Sequence, residues 1–301
     1  MAVRLNQLRD FVAVVEAGSL RAAAQAIGIS QPAITKSIRH LEEELHVRLL
    51  ERNSRGASLT SAGKAFLARA RSVQAELRKA AEDLEPFRGG SRGSVAIGVA
   101  PAACMIIVPD AMLEFRRRYP AAAVRIVEGV NTALLPLVRD ATLDFSIGGR
   151  GTRKLDGALR FKPLYRFPLV VVGRQGHPRR GATSLRELAD VEWLMFYPPG
   201  TGALEKAFSG IGLPLTASIV HCESYASALG LLAKTDTLGL LVPRMLAEPY
   251  AQRFLQRIPV REQIPAALVG MYLRDAPLTP AAAAMAQAVA AAARRVVRPA
   301  S

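Results

Sequence analysis

Cysteine is nearly absent from this chain, with only Cys104 and Cys222 among 301 residues. They stand far apart in apolar surroundings, so they give neither a disulfide framework nor a metal-ligand spacing, and buried, reduced thiols are expected. Histidine is as scarce: His40, His46, His177 and His221 are scattered, and none has the spacing of a metal pair. Long apolar runs are missing too. No uncharged apolar stretch is long enough to span a bilayer, and the opening MAVRLNQLRDF lacks the apolar core of a signal peptide. The expected compartment is the cytoplasm, with no membrane partner.

Signatures of catalysis are equally thin. No Gly-x-Ser-x-Gly elbow occurs. SAGKAF ends like a phosphate loop, but Ser58 stands where the leading glycine should be, and PGTGALE lacks the third glycine of a dinucleotide fingerprint. Neither an enzyme nor a cofactor is expected.

Positive charge, by contrast, is in excess. The chain carries 40 Lys and Arg against 25 Asp and Glu, a formal +15 with a pI near 10.7, and the excess lies on both sides of residue 94. Nucleic acid, an anionic surface or small anions all suit such a balance, and charge alone does not choose among them. The length, half of it apolar, suggests two domains with real cores.

Periodicity organises the first part. Leu5, Leu8, Phe11, Val12 and Val15 recur at helical steps that Gly18 can end. Ser19 caps a short second helix that closes at Gly28, and Ser30 caps a third, with Pro32 tolerated in its first turn. In the third helix Ile34, Ile38, Leu41 and Leu45 form one apolar stripe, while Pro32, Thr35, Lys36 and Arg39 point the other way. LLERNSRGASLT then reads as two short strands around a turn in which Gly56 suits positive φ.

Thr60 or Ser61 opens a long helix with no breaker until Pro86. Its Phe66, Ala70, Val73, Leu77, Ala80, Leu84 and Phe87 alternate steps of four and three, the seam of a coiled coil. Pairing with a second copy and packing on its own domain are both open. The Gly- and Ser-rich stretch RGGSRGS is the clearest linker. Beyond it strands (VAIGVA, AVRIVEG, LDFSIGG) alternate with helices (MIIVPDAMLEFRRRY, TALLPLVRDA), which implies a parallel α/β sheet. A second set runs from PLVVVG through EWLMFYPP and SIVHCES to LGLLVP, and the Ala-rich segment 280–298 reads as a closing helix.

Between Ser19 and Leu41 the chain holds Arg21, Lys36 and Arg39 and no carboxylate. A solvated helix face usually mixes signs, as HLEEEL does directly afterwards. An acid-free face suits a polyanion: cations meet phosphates, while Gln31 and Thr35 are placed to reach base edges from a helix in the major groove.

The stretch GSLRAAAQAIGISQPAITKSIRHLEEELHVRLLERNSRGASLTSAGKAF resembles the winged helix-turn-helix of LysR-type transcriptional regulators. The likeness rests on the AA pair, the SQPA helix ending in LE and the LT..G start of the next helix. It continues through FRRRYP, LDFSIGG, SLRELAD, the PGTG loop and GLLVP. The resemblance implies that Gln31, Pro32, Ala33, Thr35, Lys36 and Arg39 face DNA. It places Arg52 and Arg55 in a wing against backbone or minor groove, and Ser19 and Thr60 near phosphates. Thr35 stands where the family commonly has Ser, keeping the hydroxyl and adding a methyl suited to thymine.

By the same resemblance the fold is α/β with an all-α-plus-wing N-terminal domain. It comprises a winged helix-turn-helix over 1–60, a linker helix and hinge over 61–92, and a two-lobed effector domain over 93–301 similar to type II periplasmic binding proteins. Effector contacts are expected where strands end and helices begin, because free amides there can hold an anion. Those places are Ala100, Pro101, Ala102 and Ala103; Asn131 and Thr132; Gly148 and Gly149; Pro198, Gly200, Thr201 and Gly202; and Ser224 with Tyr225. Where many family members offer Ser or Thr after the first strand, this chain reads GVAPAACM. That departure points to an effector with an apolar or aromatic body whose anionic group is met by backbone amides elsewhere. Arg150 is either a counter-charge or a solvated loop residue. AKTDTLGLLVP also departs, with Lys-Thr-Asp in place of a Gly-rich turn.

The expected partners are double-stranded promoter DNA, a small-molecule effector, and a second copy through the linker helix. Further pairing would give a homotetramer, and contact with RNA polymerase is left open. The rival class, a small-molecule binding protein without gene regulation, fits the two lobes but not the acid-free helix.

Overall fold

A computed structural model describes residues 3–53, 56–84, 93–151, 155, 157–196, 202–215 and 218–297. The chain forms two compact units, Met1–Gly89 with Arg139–Thr142 and Gly90–Val138 with Leu143–Ser301. No helix among the described residues is long and apolar enough to cross a membrane.

The first unit opens with α1 (Leu5–Ala17), α2 (Leu20–Ile27) and α3 (Gln31–Leu45). Gly18 and Gly28 end the first two helices at φ 70° and 72°, the left-handed conformation that glycine adopts without steric cost. Ser19 and Ser30 cap the next two, accepting from the amides of Ala22 and Ala33. Ile34, Ile38 and Leu41 are fully buried with Phe11 and Val14, so the stripe read from spacing is the face that seats α3. Each such side chain contributes roughly 1.5–3 kcal/mol.

A two-stranded wing follows, β1 (Leu50–Asn53) antiparallel to β2 (Gly56–Leu59). It is tied down at both ends. The Glu42 carboxylate accepts from the amides of Leu49 and Leu50 at 2.7 and 3.0 Å, and Ala57 N donates to Gly18 O at 2.9 Å. A Cβ on Gly56, φ 131°, would lie 2.5 Å from that same Gly18 oxygen, so the wing docks here only with glycine.

Helix α4 (Ser61–Asp83) is 23 residues long and begins at Thr60, whose Oγ1 accepts from Gly63 N at 2.9 Å. Its seam divides. Phe66 and Ala70 pack on the first unit's own core, Phe66 edge-on to Phe11 with centroids 5.5 Å apart. Val73, Leu77 and Leu84 are 44%, 53% and 53% exposed, and Ala80 is exposed between them. Phe87 lies outside the described residues.

The second unit has two lobes. The first is built on a sheet of order β4-β3-β5-β12-β6, comprising β3 (Ser94–Val99), β4 (Ala123–Glu128), β5 (Phe145–Gly149), β6 (Leu159–Phe167) and β12 (Ala267–Arg274). Helices α5 (Pro101–Ile106), α6 (Val108–Arg118), α7 (Asn131–Arg139) and α12 (Pro280–Val297) accompany it. The second lobe has order β11-β7-β10-β8-β9, with β7 (Val170–Arg174), β8 (Trp193–Met195), β9 (Ile219–His221), β10 (Leu238–Leu241) and β11 (Leu255–Arg257). Its helices are α8 (Ala203–Gly210), α9 (Tyr225–Lys234), α10 (Pro243–Leu246) and α11 (Pro249–Phe254). One apolar cluster runs through both lobes, from Val95, Ile97 and Phe145 to Val172, Leu194 and Leu241.

Two expectations are corrected. The sheets are mixed rather than parallel: β3, β4 and β5 are parallel, as are β8, β9 and β10, but β12, β7 and β11 pair antiparallel. The chain enters β12 from the other lobe, with no helix between β11 and β12 to reverse it into parallel register. The helix expected over MIIVPDAMLEFRRRY is two helices, α5 and α6, because Pro109 has no amide to carry the hydrogen-bond ladder through.

Candidate functional site

Two surfaces hold the residues singled out in the sequence, one in each unit. On the first, α3 presents Gln31, Pro32, Ala33, Lys36 and Arg39 to solvent, with Thr35 half-buried. Gln31, Pro32, Thr35, Lys36, Arg39, His40 and Glu43 line one shallow depression. Arg21 is exposed on α2 and Ser19 half-buried at its start. Thr60 is more committed: besides capping α4, its hydroxyl donates to Arg48 O at 2.8 Å. Arg52 lies in β1 opposite Ala57, and Arg55 lies outside the described residues.

The acid-free surface ends sooner than the sequence suggests. Glu43 reaches back one turn to Arg39, with Nε to Oε1 at 2.7 Å, and its other oxygen lies 3.3 Å from His40 Nδ1. The Arg39 hydrogen bond holds the Glu43 carboxyl below the usual carboxylate range. A phosphate arriving at Arg39 therefore competes with a carboxylate already there.

On the second unit a cavity of about 420 Å³ opens between the two sheets. Lobe one contributes Ala100 to Ala103, Asn131, Gly149 to Gly151, Arg166, Phe167 and the run 265–269. From lobe two come Leu194 to Phe196, Gly202 to Leu204, Lys206, Tyr225, Leu240 to Val242 and Met245. The wall is mostly apolar, Arg150, Arg166 and Lys206 bring positive charge, and no carboxylate lines it among the described residues. Such a site suits an anion with an apolar body.

Of the expected effector contacts, Ala100, Pro101, Ala102, Ala103, Asn131, Gly149, Gly202 and Tyr225 meet in this wall. Pro198, Gly200 and Thr201 lie outside the described residues. Thr132, Gly148 and Ser224 are not part of the wall. Thr132 is exposed on α7, Gly148 is buried with Asn131 Oδ1 where a Cβ would stand, and the Ser224 hydroxyl caps α9 by accepting from Ser227 N.

Expected donors are also spoken for. Asn131 Nδ2 donates to Gly149 O at 2.8 Å and to Tyr272 Oη at 3.2 Å, fixing the end of β5. Gly202 N donates to Glu205 Oε2 at 3.1 Å, so α8 caps its own first turn. The positively charged side chains at the wall are those of Arg150, Arg166 and Lys206. Arg150 is steadied by the Phe161 ring, 4.9 Å from its guanidinium carbon.

Against known families, residues 88–294 match the LysR substrate binding domain and residues 5–64 match the bacterial regulatory helix-turn-helix protein of the lysR family. The chain belongs to the LysR family. It is 30% identical over 284 residues to the transcriptional regulator GalR of Pseudomonas putida, covering 93% of this chain and 72% of that protein. To TdcA of Escherichia coli it is 26% identical over 270 residues, or 88% and 85% of the two chains. Among solved structures, CbnR superposes with a TM-score of 0.72 at 21% identity, over 96% of this chain and 99% of that one. CbnR complexed with its target DNA gives 0.66 at 20% identity, over the same shares. At that identity the structures speak for the fold. The chain is a LysR-type transcriptional regulator with a substrate-binding domain, a class without catalytic function.

Within this LysR-type regulator, several residues escaped sequence reasoning. Glu42, Glu43 and His40 sit in a run that reads as solvated charge, and only the fold turns Glu43 onto Arg39. Arg166 lies on β6 and Lys206 on α8, far apart in sequence, and no spacing brings them to one wall.

Proposed function

We propose that α3 binds in the major groove of double-stranded promoter DNA and that the cavity of the second unit takes a small anionic effector with an apolar or aromatic body. The observation that carries the DNA reading is the face of Gln31, Lys36 and Arg39, exposed, with Thr35 half-buried among them, on a helix whose opposite face is fully buried. Gln31 and Thr35 read base edges, Lys36, Arg39 and Arg21 meet phosphates, and the wing with Arg52 and Arg55 lies along backbone or minor groove. Ser19 keeps a hydroxyl proton available for a phosphate; Thr60 acts through the fold, its proton being engaged by Arg48 O.

Two copies pair through Val73, Leu77 and Ala80 on α4 and Leu84 just beyond it, presenting two recognition helices to a dyad-related site. Further pairing of effector units gives a tetramer. An anion held by Arg150, Arg166 and Lys206 favours one arrangement of those units, altering the spacing of the DNA heads and the bend they impose.

Fluorescence anisotropy with a promoter fragment across a salt series tests the DNA reading. The expected result is sequence-selective binding whose affinity falls steeply with salt. Equal affinity for unrelated DNA at every salt concentration contradicts it. For the cavity, a thermal-shift screen of aromatic and aliphatic carboxylates and sulfonates should raise the melting temperature with some members, and no response from any removes the anionic form of the reading.

A further inference from the structure

Four residues from beyond the Gly- and Ser-rich stretch belong to the first unit, the turn Arg139–Thr142 that leads from α7 towards β5. Charge holds the turn there. Arg71, half-buried on α4, divides its guanidinium between two carboxylates: Nη2 lies 3.3 Å from Glu16 Oε1 on α1, and Nη1 lies 3.4 Å from Asp140 Oδ2. Asp140 is buried, and its other oxygen accepts from Thr142 N at 3.0 Å. Next to it Ala141 is buried at φ 62°, a left-handed conformation that alanine keeps only where its surroundings hold it.

Arg71 is shared rather than saturated. A guanidinium meets one carboxylate best through two parallel N–H bonds of about 2.7–2.9 Å. Both contacts here are longer, and the Nε–H is sealed from solvent with no acceptor among the described residues. The fork can close fully on one carboxylate only by letting go of the other. On the α1 side, Glu16 precedes Gly18, whose oxygen docks the wing, and Ser19, which caps α2. On the other side, the two elements that flank the turn reach the cavity wall, α7 at its first residue, Asn131, and β5 at its last, Gly149. We infer that Arg71 is a latch between the turn Arg139–Thr142 and the DNA-reading helices, its division between Asp140 and Glu16 coupling α7 and β5 to the setting of α1, α2 and the wing. Coupling is reciprocal, so DNA held by α3 acts back on residues 139–142. This inference rests on α3 binding DNA.

Hydrogen–deuterium exchange of the full-length protein, with and without a promoter fragment that binds in anisotropy, tests it. In the wild type, DNA should slow exchange over residues 139–144 by roughly fivefold or more, the lower end of ordinary coupling between sites, although none of these residues is among those proposed to face DNA. Two variants cut the latch from opposite sides. Asp140→Asn keeps an acceptor for Thr142 N and removes the charge, and Glu16→Gln changes a side chain that is 59% exposed, so packing is left in place. Each should still bind the fragment and lose the DNA-dependent slowing. Bound DNA that leaves residues 139–144 unchanged or faster in the wild type overturns the inference while the DNA reading stands, and so does a slowing that survives in either variant. If no promoter fragment binds the wild type, the DNA reading falls and the inference falls with it.

Discussion

Gln31 and Lys36 stand on the same exposed face of α3, and the proposed DNA reading gives them different work. An amide can pair with a base edge in two places at once, whereas an ammonium is a point charge that serves any phosphate. Gln31→Ala should therefore relax preference at one base pair in a binding-site selection, with discrimination falling by about 1–3 kcal/mol. Lys36→Ala should weaken binding to all sequences alike and reduce the salt slope by about one. Glu43 offers a sharper check, because it already holds Arg39 at 2.7 Å. Replacing it with Gln should raise affinity for DNA of any sequence and steepen the salt dependence in anisotropy; unchanged affinity would show that Arg39 makes no phosphate contact. Much at this scale could be read from the sequence, since the alternation of Ile34, Ile38 and Leu41 with Thr35, Lys36 and Arg39 has one helical solution. The Arg39–Glu43 pair lay hidden because a step of four residues permits such a bond without requiring it.

Among the elements, α4 carries the clearest consequence of a divided stripe. Its first seam positions, Phe66 and Ala70, belong to the domain's own core, so self-packing describes that part of the helix, and pairing is proposed for the exposed remainder. Leu77, 53% exposed in the remaining part, is where a charge should separate two copies. Leu77→Asp should shift the protein to monomer in sedimentation velocity while leaving the unfolding of the first unit unchanged. The wing depends on a different detail. Gly56→Ala forces a Cβ to within 2.5 Å of Gly18 O at positive φ and should cost about 1–3 kcal/mol in chemical denaturation. Gly18, Ser19, Gly28, Ser30 and Thr60 were legible as helix ends because caps are local, whereas Arg4 at the start of α1 and His46 at the end of α3 were not. The strands β6 and β12 were not. Pro163 inside β6 argues against a strand, but it sits in an edge strand opposite Gly270, beside the register shift between Val269 and Gly270. Pairing between residues so distant in sequence leaves no local mark.

For the whole molecule, the apolar part of the cavity wall at Ala100 to Ala103 was legible and its cations were not. The missing hydroxyls in GVAPAACM are visible in one dimension, and so is the excess of cations. That Gly202 N is taken by Glu205 and Asn131 by Gly149, and that Arg150, Arg166 and Lys206 come to one wall, emerges only when two lobes fold around one space. Charge reversal by Arg166→Glu should accordingly abolish the thermal response to aryl carboxylates and leave ligand-free DNA affinity intact.

An anion bound in the second unit is proposed to change how the first unit holds DNA. This is tested most directly by energy transfer between dyes at the two ends of a promoter fragment, with and without an aryl carboxylate that calorimetry shows to bind. The wild type should show a ligand-dependent change in end-to-end distance and Arg166→Glu none. A ligand that binds the wild type in calorimetry yet changes neither the bend nor the affinity would contradict it.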